Sequence, residues 1–260
     1  MSSSPQTSQN KGRLFLVPTP LDFGCNEQAP IAHVLPEATL ATAAQIQHWV
    51  CENAKSARAY LKRIDALVHL TQPLQQLDIQ ELPHAVHKKG DHRGEFDART
   101  LLAPALAGHD MGLLSEAGMP AIADPGSSLV RAAHDLGVVV VPLVGPVSLL
   151  LALAASGLNG QNFAFVGYLP QDASERQARL RQLENTALSS GQSQIFIETP
   201  YRNPAIWQAL MTQLKGSTRV CMASGLTLPG AHIECHDVQT WRQKNRMPPK
   251  DVPTVFAIGV

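Results

Sequence analysis

The sequence carries no excess of charge: 21 Lys and Arg stand against 21 Asp and Glu over 260 residues. A protein that grips nucleic acid by charge alone shows a basic surplus, so any nucleic-acid contact here has to be local. Ten histidines add positive charge only at mildly acidic pH. Cysteine is scarce. Cys25, Cys51, Cys221 and Cys235 include no C-x-x-C pair, which argues against a zinc or redox motif. The chain reads as a reduced, cytoplasmic protein with no metal site. No hydrophobic run is long: the most apolar stretch, residues 147–155, falls far below the roughly 20 residues of a membrane span. The start, MSSSPQTSQNKG, is polar, has no apolar h-region and reads as a disordered tail over residues 1–12. A P-loop, a G-x-G-x-x-G and a Ser-His-Asp arrangement are all missing, and no internal repeat is visible.

The length suffices for one large core or two modest ones. The most informative stretch is 111–146, MGLLSEAGMPAIADPGSSLVRAAHDLGVVVVPLVGP. MGLL is a short apolar run suited to a buried parallel strand. A loop holding Gly118, Pro120, Pro125 and Gly126 follows. Leu129, Val130, Ala132, Ala133 and Leu136 then recur at helical spacing, with Ser127 or Ser128 placed to cap the start. Gly137 ends that helix, and 138–143 is a second strand, nearly all β-branched. Strand, helix, strand predicts a βαβ unit and a parallel sheet. Ligands of such sheets bind beyond the carboxyl ends of strands. Gly118 lets a ligand approach the backbone, and Ala117, Ala121 and Ala123 leave room for it. The same features also suit a βα connection with no ligand.

Elsewhere the pattern predicts strands at 13–17, 46–51, 194–198, 218–223, 232–236 and 254–259. Helices are predicted at 35–44, 56–67, 96–107, 148–156, 172–188 and 203–214. Residues 72–99 give no clear period. Within them His84, His87 and His92 lie among Lys88, Lys89 and Arg93, and a basic loop explains them better than a metal, which they lack the spacing to bind.

SEAGMPAIADPG, followed by VVPLVGP and ALAASGL, resembles the tetrapyrrole-methylase-like (class III) S-adenosylmethionine-dependent methyltransferases. It resembles in particular their 16S rRNA cytidine 2′-O-methyltransferase branch, whose loop runs close to SDAGTPxxxDPG. Glu116 and Met119 replace Asp and Thr of that loop. The likeness runs from about Leu14 to Val260. It implies an α/β, two-domain tetrapyrrole methylase fold, with a parallel N-terminal sheet over 13–160 and a mixed C-terminal sheet over 161–260. It also implies S-adenosyl-L-methionine as cofactor, held in the cleft between domains, and a homodimer.

The resemblance assigns the cofactor to Ser115, Glu116, Ala117, Gly118, Ile122 and Ala123. It adds Pro18, in VPTPL where the family has GTPIGN; Val147 and Ser148, just after Gly145-Pro146; and Leu169 after Tyr168. Ser148 is equally placed as a plain helix cap. The family's EDTR appears here as Glu52-Asn53-Ala54-Lys55, which implies Glu52 and Lys55 as the catalytic pair; a solvated charge pair beside a helix start explains them as well. Asp22 is a further available carboxylate. ESPHR is matched at Glu198, Pro200 and Arg202, whereas RELTK keeps only Leu226 and Thr227, and the HNE-like motif is missing. The matches cluster where the family holds its cofactor and the losses where it handles substrate. The expected function is S-adenosylmethionine-dependent methyl transfer, with ribosomal RNA as a possible acceptor. A small-molecule, tetrapyrrole-like methyltransferase and a non-catalytic cofactor-binding or scaffold protein are the alternatives.

Overall fold

The computed structural model describes residues 10–83, 86, 96–244 and 246–260. The basic histidine loop, apart from Val86, and the first nine residues of the tail lie outside the described residues. Residues 10–12 are already attached to the fold: the Gly12 N–H donates to Ala105 O at 2.8 Å and the Lys11 ammonium to Leu136 O at 2.6 Å.

Two compact units form. One comprises the described residues up to Phe23 with Pro30–Pro146, the other Gly24–Ala29 with Val147–Val260. The first holds β1 (Arg13–Leu16), β2 (His48–Cys51), β3 (Asp78–Glu81), β4 (Met111–Leu114) and β5 (Val139–Pro142), with helices α1 (Glu37–Gln45), α2 (Ala54–Asp65) and α3 (Ser127–Asp135). The strand order is β3-β2-β4-β1-β5, and every neighbouring pair is parallel. Successive residues of a strand face opposite sides, which makes two cores. Phe15 and Trp49 join Tyr60 and Leu61 of α2 on one face. Leu14 and Val50 join Leu113 and Leu129 on the other. Burial of β4 on both faces is what its unbroken apolar run requires. Gly112 has a specific reason to lack a side chain: a Cβ there would lie 2.4 Å from the ring of Trp49, its partner across the β2–β4 ladder.

The second unit holds β6 (Phe163–Tyr168), β7 (Ser193–Glu198), β8 (Arg219–Ser224), β9 (His232–Asp237) and β10 (Thr254–Gly259), with helices α4 (Ser148–Ser156), α5 (Ala173–Ser190), α6 (Asn203–Gln213) and α7 (Val238–Lys244). Its order is β6-β7-β10-β8-β9. Only β6–β7 is parallel and the other pairs are antiparallel, so the sheet is mixed. The core is aromatic, with Trp207 edge-on to Trp241 at 4.8 Å and Phe196 stacked on Phe256 at 5.8 Å. Asp172 caps α5 by accepting from the Ser174 and Glu175 N–H groups at 2.9 Å each. Helix α4 packs on β8, β9 and β10, so it belongs with the second sheet although it precedes residue 160.

Some local expectations change. The expected helix over 96–107 is a 3-10 turn, Arg99–Leu102, running into a single helical turn, Ala103–Leu106. Pro104 lies in that first helical turn, where its missing N–H costs nothing. The N-cap position of α3 is held by Gly126 and that of α4 by Val147, so Ser127 and Ser148 are the first residues inside their helices. Strands β3 and β6 and helix α7 were not expected.

Candidate active site

Parallel strands end together. Leu16 is level with Leu113 and Cys51 with Leu114, so the segments leaving β1, β2 and β4 meet at one edge. Thr19 and Gly118 close a two-way bridge: Thr19 N–H donates to Gly118 O at 2.9 Å, and Gly118 N–H to Thr19 O at 3.1 Å. The Thr19 hydroxyl donates to Ser115 O at 3.2 Å. Gly118 has φ +80°, and a Cβ there would press on Leu21 Cδ2 at 3.1 Å and Pro146 O at 3.4 Å. Ala121 and Ala123 also hold positive φ, 63° and 66°, a strained state for residues with a side chain and one that clusters at ligand sites. Ile122 between them is exposed.

At the inner side of this loop three carboxyl groups gather. The Glu116 N–H reaches Glu52 Oε1 at 3.4 Å. The Ser56 hydroxyl, 2.9 Å from Asn53 O, lies 3.2 Å from Glu116 Oε1. Burial pushes the Glu52 carboxyl up to about 7, the charges of Asp124 and Glu116 add to the rise, and the Glu116 N–H opposes it. Asp124 is pushed up to about 6, again chiefly by burial and then by Glu116. The Ser115 hydroxyl lies beside Asp124 and works against its rise, but without the alignment of a full hydrogen bond: Ser115 Oγ is buried and unpaired. Removing a carboxylate from water disfavours its charge, and a second carboxylate nearby disfavours it further.

Helix α2 builds one wall. Asn53 is its N-cap and accepts from the Lys55 and Ser56 N–H groups at 2.9 and 3.2 Å, and Glu81 accepts from Ala54 N–H at 2.6 Å. This is the work that the second residue of the EDTR-like segment performs here. Lys55 is exposed on the first helical turn. Pro18 is buried, and its carbonyl accepts from the Tyr60 hydroxyl at 2.9 Å. Gly145 passes so close that a Cβ would lie 2.3 Å from Pro18 Cγ.

Asp22 is not the available carboxylate that the sequence suggested. Arg63 grips it through two hydrogen bonds of 3.0 and 2.9 Å, a bidentate pair that keeps both carboxylate oxygens engaged. The structure therefore brings together Pro18, Glu52, Ser115, Glu116 and Gly118 in the first unit, with Ala117, Ile122 and Ala123 on the same loop. Val147, Ser148 and Leu169 belong to the second unit, the first two at the start of α4 and Leu169 buried just after β6. Asp124, Ser56 and Tyr60 are site residues that sequence reasoning missed. Asp124 lay inside the DPG of the loop, where the only signal was a carboxylate three residues after Ala121. Among the described residues no cluster of three or more His, Cys, Asp or Glu is arranged to hold a metal, and no helix is long and apolar enough to cross a membrane.

The family model for Tetrapyrrole (Corrin/Porphyrin) Methylases matches residues 37–239. The Ribosomal RNA small subunit methyltransferase I of Escherichia coli is 30% identical over 227 residues, 87% of this chain and 70% of that protein. The Vibrio cholerae protein of the same name is 35% identical over 159 residues, 61% of this chain and 53% of its own length. The chain thus spans between about half and 70% of the length of these curated relatives. Among solved structures, that of the methyltransferase CobJ shares the fold, with TM-score 0.54 at 18% identity, covering 95% of this chain and 94% of CobJ. A two-domain α/β protein with one parallel and one mixed sheet, matched over this span, belongs to the Tetrapyrrole (Corrin/Porphyrin) Methylases.

Proposed function

We propose that this chain is an S-adenosylmethionine-dependent methyltransferase whose acceptor is small-subunit ribosomal RNA, working in the cytoplasm as a homodimer. The observation that carries the reading is the loop leaving β4: small residues in left-handed backbone beside carboxyl groups poised to ionise near neutrality. The cofactor fits this loop on three counts. Gly118, Ala117, Ala121 and Ala123 leave its backbone approachable, the buried Ser115 hydroxyl lacks a partner, and the acidic groups favour a positively charged ligand. S-adenosylmethionine supplies a methyl group already activated on a cationic sulfur, so catalysis is chiefly alignment.

The chain's own residues then divide the remaining work. Residues 115–123 hold the cofactor, and the Thr19–Gly118 bridge fixes that loop against the end of β1. Glu52, with a pKa near the working pH, accepts the proton of the acceptor hydroxyl, since a general base is most effective when so matched. Lys55, exposed beside it, meets a phosphate of the acceptor. The names of the curated relatives favour ribosomal RNA over a tetrapyrrole-like small molecule or a non-catalytic scaffold.

The test supplies purified protein with small ribosomal subunits and methyl-labelled S-adenosylmethionine. Label is expected in the small-subunit RNA. Glu52→Gln should slow its transfer by about 100-fold or more with cofactor affinity little changed, and Gly118→Trp should abolish calorimetric binding of both S-adenosylmethionine and S-adenosylhomocysteine. Binding without labelled RNA moves the acceptor elsewhere. No binding of either ligand removes the methyltransferase reading.

A further inference from the structure

The two cysteines of the second sheet have no motif spacing in the sequence, yet they stand face to face. Cys221 of β8 pairs directly with Cys235 of β9 in the antiparallel register, where opposed side chains have their Cβ atoms about 4.5–5.5 Å apart. Strand β9 is the edge of the sheet. Cys235 is therefore partly open to solvent, whereas Cys221 is fully buried. Val220 and Met222 point into the core beside Trp207 and Trp241, so alternation turns Cys221 to the other face, where α4 covers β8 and β9. Arg219 donates to Cys235 O at 3.2 Å, which holds a guanidinium beside the partly exposed thiol.

We propose that Cys221 and Cys235 form a peroxide-reactive dithiol that closes to a cross-strand disulfide, with Cys235 as the attacking thiol and Cys221 as the resolving one.

The chemistry supports that division. A hydrogen bond from Cys221 draws the Cys235 thiol below the ordinary thiol range; burial opposes the shift and Arg219 assists it. The same contact, with burial, holds Cys221 well above the ordinary thiol range, so it keeps its proton. The thiolate is the nucleophile. In the first step Cys235 sulfur attacks one oxygen of hydrogen peroxide and the O–O bond breaks. A sulfenic acid forms at Cys235, and the second oxygen leaves as water after taking up a proton. In the second step Cys221 sulfur attacks Cys235 sulfur. The S–O bond breaks, and hydroxide departs as water with the proton that Cys221 gives up. Two thiols lose two electrons and one peroxide gains them. The product ties the exposed edge strand β9 to β8. Cys51 is the internal contrast: burial, and then the charge of Glu81, push its thiol up to about 12, so it should not react.

The experiment treats the purified full chain with hydrogen peroxide and reads intact mass, peptide linkage and reversal by dithiothreitol. The expected wild-type result is a mass lower by two hydrogens, a peptide joining Cys221 to Cys235, and full reversal. Cys221→Ser should leave a sulfenic acid at Cys235 that dimedone captures. Cys235→Ser should show neither product. The wild-type linkage map stands even if a variant folds poorly. Reduced thiols persisting at both positions would overturn the proposal. So would direct passage of Cys235 to sulfinic acid, or linkage through Cys25, Cys51 or a second chain.

Discussion

Glu52 lies half-buried where two other carboxyl groups converge, and its titration sets an expectation for ligand and for stability. In the folded chain Glu52 rises from 4.5 to about 7 and Asp124 from 3.8 to about 6. The folded state therefore holds protons that the unfolded chain has released, so stability falls as pH rises through this window. Glu52→Gln should flatten that decline and raise Tm at pH 8 relative to pH 5, a change that thermal melts at the two pH values will show. A cation bound beside the cluster favours the ionised carboxylates. S-adenosylmethionine should then bind more tightly as pH rises from about 5 to about 8, releasing protons, whereas S-adenosylhomocysteine, without the sulfonium charge, should depend on pH less. Calorimetry in buffers of different ionisation enthalpy measures the proton release, and equal slopes for the two ligands would contradict the placement of the charge. Glu52, Ser115, Glu116 and Gly118 were legible because they lie in contiguous, motif-like runs. Asp22 was misread because its partner, Arg63, lies 41 residues away, and nothing in a local pattern reveals such a grip. Tyr60 looked like one more apolar helix position, since its hydroxyl contact with Pro18 is equally remote.

Strands β2 and β4 depend on one size relation. Trp49 is nearly fully buried, donates its ring N–H to Ile46 O at 3.1 Å, and occupies the space that a side chain at residue 112 would need. Gly112→Ala should destabilise the protein by about 1–3 kcal/mol through overpacking. Trp49→Phe, combined with it, should recover part of that loss. Urea unfolding of the two single variants and the double variant gives the coupling directly, and simple additivity would show that the ring yields without strain. At this scale most strands and helices could be read because their apolar period was strong: β4 and α4 match the expected bounds, and β1, β2, β5 and α3 shift by only a residue or two. Strand β3 could not. Its sequence, DIQE, sits at the sheet edge with no residue fully buried, so no core face is imprinted on it. Helix α7 is short, and only Val238 and Trp241 of it are buried, too few to display a period.

The whole chain is electrically balanced, and among the described residues six Lys and Arg side chains are paired with carboxylates. Arg13 pairs with Asp110, Arg63 with Asp22 and Arg202 with Glu198. His232, His236, Lys244 and Arg246 all gather on Glu234, whose carboxyl is held down to about 2 by Lys244 first and the histidines next. An RNA that binds this molecule meets no net positive charge to draw it in, so recognition is expected to rest on shape and hydrogen bonding more than on phosphate neutralisation. For a single-stranded site the logarithm of affinity falls with the logarithm of salt by about 0.7 per phosphate contacted, so two or three contacts give a slope of about −2. Filter binding of a small-subunit RNA fragment across a salt series should return a slope no steeper than that. Glu234→Gln, which releases Lys244 and Arg246 from their carboxylate, should steepen it if the RNA crosses the β9 edge and leave it unchanged if the RNA lies elsewhere. A wild-type slope near −5 would mean that a basic face is assembled from parts other than these, either the Lys88, Lys89 and Arg93 segment or a second copy of the chain, and the binding surface would have to be sought there.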